Sequence, residues 1–140
     1  LALSDVMLAT FGNLGYIAEV QATGKTRGAL GNDLYGAYGQ SYECADGRKV
    51  MVVVISNKHW RGLGKATGLG EKLEMIGPLL NVDLNTEGGR FEEREAIDAV
   101  VRPWFTAHDS EGATKLLAEA GMLVGGFQTF EELISSDPRC

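Results

Sequence analysis

The stretch Gly31–Trp60, GNDLYGAYGQSYECADGRKVMVVVISNKHW, decides the fold. It opens as a loop punctuated by Gly31, Gly36 and Gly39. Ser41 to Cys44 then leads into Asp46-Gly47, a pair suited to the tight turn of a hairpin. The returning run Val50–Ile55 is apolar throughout, which predicts a strand buried on both faces. Asn57 is placed to cap the helix beginning at Lys58-His59-Trp60, because its side-chain oxygen can accept from the first unpaired amides. Loop, hairpin, strand and capped helix together make a hub for the rest of the chain.

Upstream of the hub, Ser4 to Val20 predicts one helix, capped by Ser4 and apolar nearly all round (Val6, Met7, Leu8, Phe11, Leu14, Ile17). Such a helix needs cover on more than one side. Gln21 to Leu30 is polar, small and glycine-broken, the composition of a linker. Its Gly24-Lys25-Thr26 lacks the first glycine of a phosphate loop, since position 19 is Glu19, and no strand precedes it.

Downstream, a helix is expected from Lys58 to Gly68, then a short amphipathic segment over Glu71–Leu80 ended by Gly77-Pro78, then a polar loop over Asn81–Gly89. Phe91, Ile97, Val100, Val101, Trp104 and Phe105 recur at helical spacing and predict a helix from Arg90 to Ala107, bent or split at Pro103. Ser110 is the expected cap of a helix ending at Gly121. Met122–Phe127 predicts a third strand. Thr129 with Glu132 three residues on has the pattern of a capping box for a last helix. These elements predict an α/β (α+β) fold: a small antiparallel or mixed sheet from Ser41–Cys44, Lys49–Ile55 and Leu123–Phe127, with helices packed on it.

The chain has 140 residues, 44% of them hydrophobic, and a net charge of −6. That suffices for one ordinary core, while no apolar run approaches the ~20 residues of a membrane span. The acidic balance and scattered Lys25, Arg27, Arg48, Lys49, Lys58 and Arg61 argue against nucleic acid, which is bound by neutralising phosphates. Cys44 and Cys140 make neither a disulfide framework nor a metal site, so a cytoplasmic setting is expected. Both ends read as cuts through a longer protein.

The hub resembles the opening of the smaller domain in the class III CoA-transferase (CaiB/BaiF) family. Gly31, Asn32, Tyr38, Gly39, Tyr42, Cys44, Asp46, Gly47, Val50, Trp60, Leu63 and Gly68 carry the likeness. Leu3–Ala9 is similar to the helix that leads out of the family's large domain. Leu117, Gly121, Gly126, Thr129, Glu132, Leu133, Asp137 and Pro138 are similar to its closing run. The resemblance implies residues 1–20 as a helix leading from a large domain, 21–30 as linker and 31–140 as the small domain. It further implies an enzyme acting on acyl-CoA thioesters by CoA transfer, with coenzyme A thioester as substrate, no tightly bound cofactor, and a homodimer. Gly31–Gly39 with Arg48–Ile55 looks closest to the 2-methylfumaryl-CoA isomerase branch, which shifts CoA within one dicarboxylic acid. An α-methylacyl-CoA racemase type is the alternative, and a non-catalytic interaction module is the alternative of another class.

No nucleophile–base constellation stands out. His59 and His108 lie far apart without a supporting motif, and the acidic pairs read as solvated helix faces. The family's catalytic aspartate lies in the large domain, and Asp5, Asp33 and Asp46 do not match its motif. The chain alone is therefore expected to have no catalytic residues and no activity. The glycine loop is the candidate site, because glycine lets backbone amides approach a ligand and Tyr35, Tyr38 and Tyr42 stand beside it. Two readings stay open: a plain turn into the hairpin, or a loop covering a ligand site shared with another domain. In the formyl-CoA branch a glycine-rich loop at this place covers the active site, a role the resemblance carries to Gly36, Gly39 and Gln40, with Tyr38 next to them.

Overall fold

A computed structural model describes residues 2–139; Cys140 lies outside the described residues. At its centre is a three-stranded antiparallel sheet in the order β1 (Tyr38–Glu43), β2 (Lys49–Val54), β3 (Leu123–Gly126). The hairpin turns where expected: Cys44 N donates to the Arg48 carbonyl at 2.8 Å, and Gly47 N to that of Cys44 at 2.9 Å. Tyr38, Gln40 and Tyr42 pair with Val54, Val52 and Val50.

The middle strand alternates rather than being buried on both faces. Val50, Val52 and Val54 are fully buried, whereas Met51 and Val53 are half-covered and Ile55 lies beyond the strand, exposed. Helices cover one side, and the other keeps partial access to solvent, the usual state of an antiparallel sheet.

Helices α3 (Asn57–Thr67), α4 (Gly70–Leu80), α5 (Glu87–Glu92), α6 (Arg94–Thr106) and α7 (Ser110–Glu119) fill the connection from β2 to β3. Their inner residues, among them Leu63, Leu73, Ile97, Val101, Phe105 and Leu117, join the buried side of the sheet in one core. The Phe105 ring stacks on Tyr42 at 4.1 Å between centroids and 5° between planes. Tyr38 and Tyr42 hydrogen-bond to each other through buried hydroxyls.

Two expected caps move by one residue. Ser56, not Asn57, caps α3 by accepting from His59 N, which frees the Asn57 side chain to accept from Arg90 Nη1 at 2.9 Å. Asp109, not Ser110, caps α7 through Gly112 N, and Ser110 instead donates Oγ and N to Asp46 Oδ2 in the hairpin turn, at 2.7 and 3.0 Å. The capping box of α8 (Phe130–Ser136) forms as expected between Thr129 and Glu132.

Helix boundaries also differ from expectation. The first apolar segment is two helices, α1 (Leu3–Asn13) and α2 (Tyr16–Thr23), because Gly15 takes φ 82°, a conformation that ends a helix and suits glycine. Ser4 sits inside α1 and caps nothing, and α2 runs three residues into the expected linker. Helix α4 passes through Gly77-Pro78 to Leu80. The long helix is interrupted at Glu93 instead of Pro103, which α6 accommodates near its end. Thr86 starts α5 separately by accepting from Gly89 N, so the polar loop is shorter than its composition implies.

No residue of α1 or α2 is buried. Val6, Leu8, Phe11, Leu14 and Ile17 are each more than two-fifths exposed. The cover that this segment needs is thus not supplied by the described residues.

Candidate functional site

The loop ahead of β1 is held at both ends of its glycine run. Gly31 and Gly36 bracket it with positive φ values of 58° and 77°. Within it, Asp33 accepts from Arg94 Nε at 3.1 Å and from the Gln40 side-chain amide. The other end of that amide, Gln40 Oε1, accepts from Ser41 N at 2.9 Å. Gly39 is needed for space: a Cβ there would stand 2.8 Å from Leu34 Cβ and 3.2 Å from the Val52 carbonyl. The loop therefore folds tightly back on β1, and Leu34 N donates to the Gly39 carbonyl at 2.9 Å.

The four loop residues singled out in the sequence are not brought to one surface. Gly36 is exposed at the turn, Gly39 is buried under Leu34, and Gln40 is half-buried against Asp33. Tyr38 points into the core with 1% of its surface exposed, and burial pushes its hydroxyl well above the ordinary tyrosine range. Tyr35 is the tyrosine that faces outward from this loop, 45% exposed.

Tyr35 belongs to a cluster that local sequence patterns do not reveal. The Arg27 guanidinium lies over the Tyr35 ring, 3.4 Å from its centroid, and 4.7 Å from that of Tyr16. Glu19 on α2 pairs with Arg27 and accepts a hydrogen bond from the Tyr35 hydroxyl. These contacts hold the Glu19 carboxyl below its usual range, the Arg27 hydrogen bond first and the Tyr35 hydroxyl second. The cluster ties α2 to the glycine loop across the intervening linker. It also divides two neighbouring clefts. A 420 Å³ cleft is lined by Tyr16, Glu19, Val20, Asp33 and Tyr35 among others. A 330 Å³ cleft on the side of α6 includes Lys25, Thr26, Phe91 and Arg94. Glu19 and Arg27 stand eight residues apart across a helix end, so no periodicity couples them.

The histidines take structural places. His108 stacks on Trp104 at 4.1 Å and its Nδ1 meets the Trp104 carbonyl at 2.7 Å. His59 N completes the cap of α3. Cys44 is free and buried. Among the described residues no group of His, Cys, Asp or Glu could hold a metal ion, and no helix is long and apolar enough to cross a membrane. Arg90, the expected start of the long helix, lies inside α5. It is 1% exposed, donates Nη1 to Asn57 Oδ1 and to the Leu84 carbonyl, and joins α5 to the start of α3.

A family model described as CoA-transferase family III matches residues 1–139. The chain is 39% identical over its full 140 residues to 2-methylfumaryl-CoA isomerase of Chloroflexus aurantiacus, and spans 34% of that protein's length. A crystal structure of a CAIB/BAIF family protein from Brucella suis superposes with a TM-score of 0.69 over 99% of this chain and 34% of its own, at 21% identity. At that identity the superposition speaks for the fold.

Proposed function

Since the chain belongs to CoA-transferase family III, we propose that it serves as the small domain of an enzyme that moves coenzyme A between carboxylate groups of an acyl-CoA. We place the reaction within one dicarboxylic acid, as the name of the 39%-identical isomerase describes for that protein. The observation that carries this reading is the unbroken likeness over the whole chain, which spans about a third of the relative's length. The loop–hairpin unit supports it as the part that faces substrate: Tyr35 stands at the surface and lines two clefts, and Gly36, next to it in the chain, is exposed. Residues 1–20 lead from a large domain that carries the catalytic aspartate, 21–30 form the linker and 31–140 the small domain. The enzyme works as a homodimer in the cytoplasm, with the exposed apolar stripe of α1 and α2 covered by the large domain or the second subunit.

The test is the full-length gene product, incubated with 2-methylfumaryl-CoA and followed by chromatography for the isomeric thioester. Conversion without an added acceptor acid supports intramolecular transfer. Transfer only to an added acid places the reaction between molecules. No CoA movement on 2-methylfumaryl-CoA, together with exchange of the α-proton of a saturated 2-methylacyl-CoA with deuterated water, favours a racemase. The 140-residue chain alone should convert nothing, and turnover by it overturns the assignment of the catalytic group to another domain.

A further inference from the structure

The 330 Å³ cleft between the linker and the α5–α6 break is cationic although the chain as a whole is acidic. The whole chain carries −6, yet this cleft is lined by Lys25, Arg27 and Arg94 against the single carboxylate of Glu19. That carboxylate is already engaged by Arg27 and the Tyr35 hydroxyl. Lys25 makes no ion pair among the described residues. Arg94 gives Nε to Asp33 and Nη1 to the Phe91 carbonyl, which leaves Nη2 uncommitted. Two cationic groups thus border one small space with capacity to spare.

The walls of that space are flat and apolar. Tyr35 and Phe91 meet edge to face at 5.2 Å and 70°, and the Arg94 guanidinium sits 4.7 Å from the Phe91 ring centroid. Thr26 also lines the space, while the Thr23 hydroxyl is committed to the end of α2, donating to the Glu19 carbonyl at 2.8 Å and accepting from Lys25 N at 3.2 Å. A guanidinium fixed by two hydrogen bonds is pre-oriented, and its remaining donor suits a carboxylate oxygen. The volume is at the low end for small-molecule sites. We infer that this cleft is a binding site for a small, planar dicarboxylate, with Arg94 and Lys25 as its cationic contacts and Tyr35 and Phe91 as its walls. The inference rests on the proposed function only for the ligand's kinship with the acyl part of the substrate.

The ¹⁵N-labelled chain, titrated with sodium fumarate at constant ionic strength, tests it. The expected result is saturable shifts of amides in residues 23–28, Tyr35, Phe91 and Arg94. Lys25→Gln, a change at an exposed side chain, should weaken binding at least fivefold. Arg94→Gln should do the same, and Arg94→Lys should recover part of the loss. Shifts that do not saturate, or binding unchanged in Lys25→Gln, overturn the site. So does inorganic phosphate moving the same amides with equal affinity, since the cleft would then hold anions without regard to a carbon skeleton. If the chain binds fumarate in this way while the full-length protein moves no CoA, the site stands and the functional reading falls. CoA turnover without fumarate binding has the opposite meaning.

Discussion

Arg94 Nε lies 3.1 Å from the Asp33 carboxylate, joining the glycine loop to the first turn of α6 across 61 residues of chain. The side chains are 26% and 20% exposed. Arg94 Nη1 also donates to the Phe91 carbonyl beside the helix break at 2.8 Å. One guanidinium therefore fixes a loop, a helix start and the orientation of an aromatic wall.

A double-mutant cycle on Arg94→Gln and Asp33→Asn should give a coupling of about 1 kcal/mol, the upper range for a partly exposed pair. Amide exchange in residues 31–36 should quicken in both single variants. Zero coupling in urea melts together with unaltered loop exchange would mean that Gly31 and Gly36 alone shape the loop.

The two faces of β2 should differ in cost. Val52 is fully buried and Val53 half-covered, so Val52→Ala should lose roughly 1–3 kcal/mol through transfer and cavity terms, and Val53→Ala clearly less. Equal shifts in denaturation midpoint would contradict the alternation described for this strand.

Exposed apolar residues on α1 and α2 should drive association. Phe11 and Leu14 are 41% and 62% exposed, and contiguous patches of several hundred Å² rarely stay free in solution. Sedimentation should show self-association of the chain at high concentration, reduced by Phe11→Ser with Leu14→Ser. A monomer before substitution argues that the stripe needs no partner.

Acid stability should carry a signature of Asp46. Hydrogen bonds from Ser110 Oγ and N hold its carboxyl below the ordinary range, with Arg48 N contributing less. A carboxyl lowered on folding stabilises the fold above its unfolded pKa, about 3.9, and that stabilisation fades as pH falls through the lower folded value. Wild type should therefore exceed Asp46→Asn in stability at pH 6, and the gap should narrow between pH 4 and pH 2. Parallel stability curves over that interval would count against the Ser110 contacts.

Features written in neighbouring residues are legible in the sequence. Asp46-Gly47 turns the hairpin, Thr129 and Glu132 close their capping box, and β3 forms where the short apolar run predicts it. Errors arise where two adjacent residues can do the same work: Ser56 and Asn57, or Asp109 and Ser110, can each cap. Tertiary contacts then select by giving the other side chain a distant task, Asn57 to Arg90 and Ser110 to Asp46. Pro103 misleads because buried Val101 and Phe105 hold α6 in place around it. Of the candidate site, the glycine loop is legible from spacing, while the Glu19–Arg27–Tyr35 cluster depends on how α2 returns to that loop.

Among the described residues the core contains none before Ala37, although α1 and α2 carry much of the chain's apolar surface. Proteolysis should expose that asymmetry. Lys25 and Arg27 stand in a segment without helix or strand, so brief trypsin treatment should clip there first. The C-terminal product should keep the melting midpoint of the intact chain to within a few degrees, because nothing that seals its interior has been removed. If the clipped product melts far lower, the Arg27 cluster is a keystone of the whole fold. If it does not, the first thirty residues are a detachable handle, shaped to be gripped by something else.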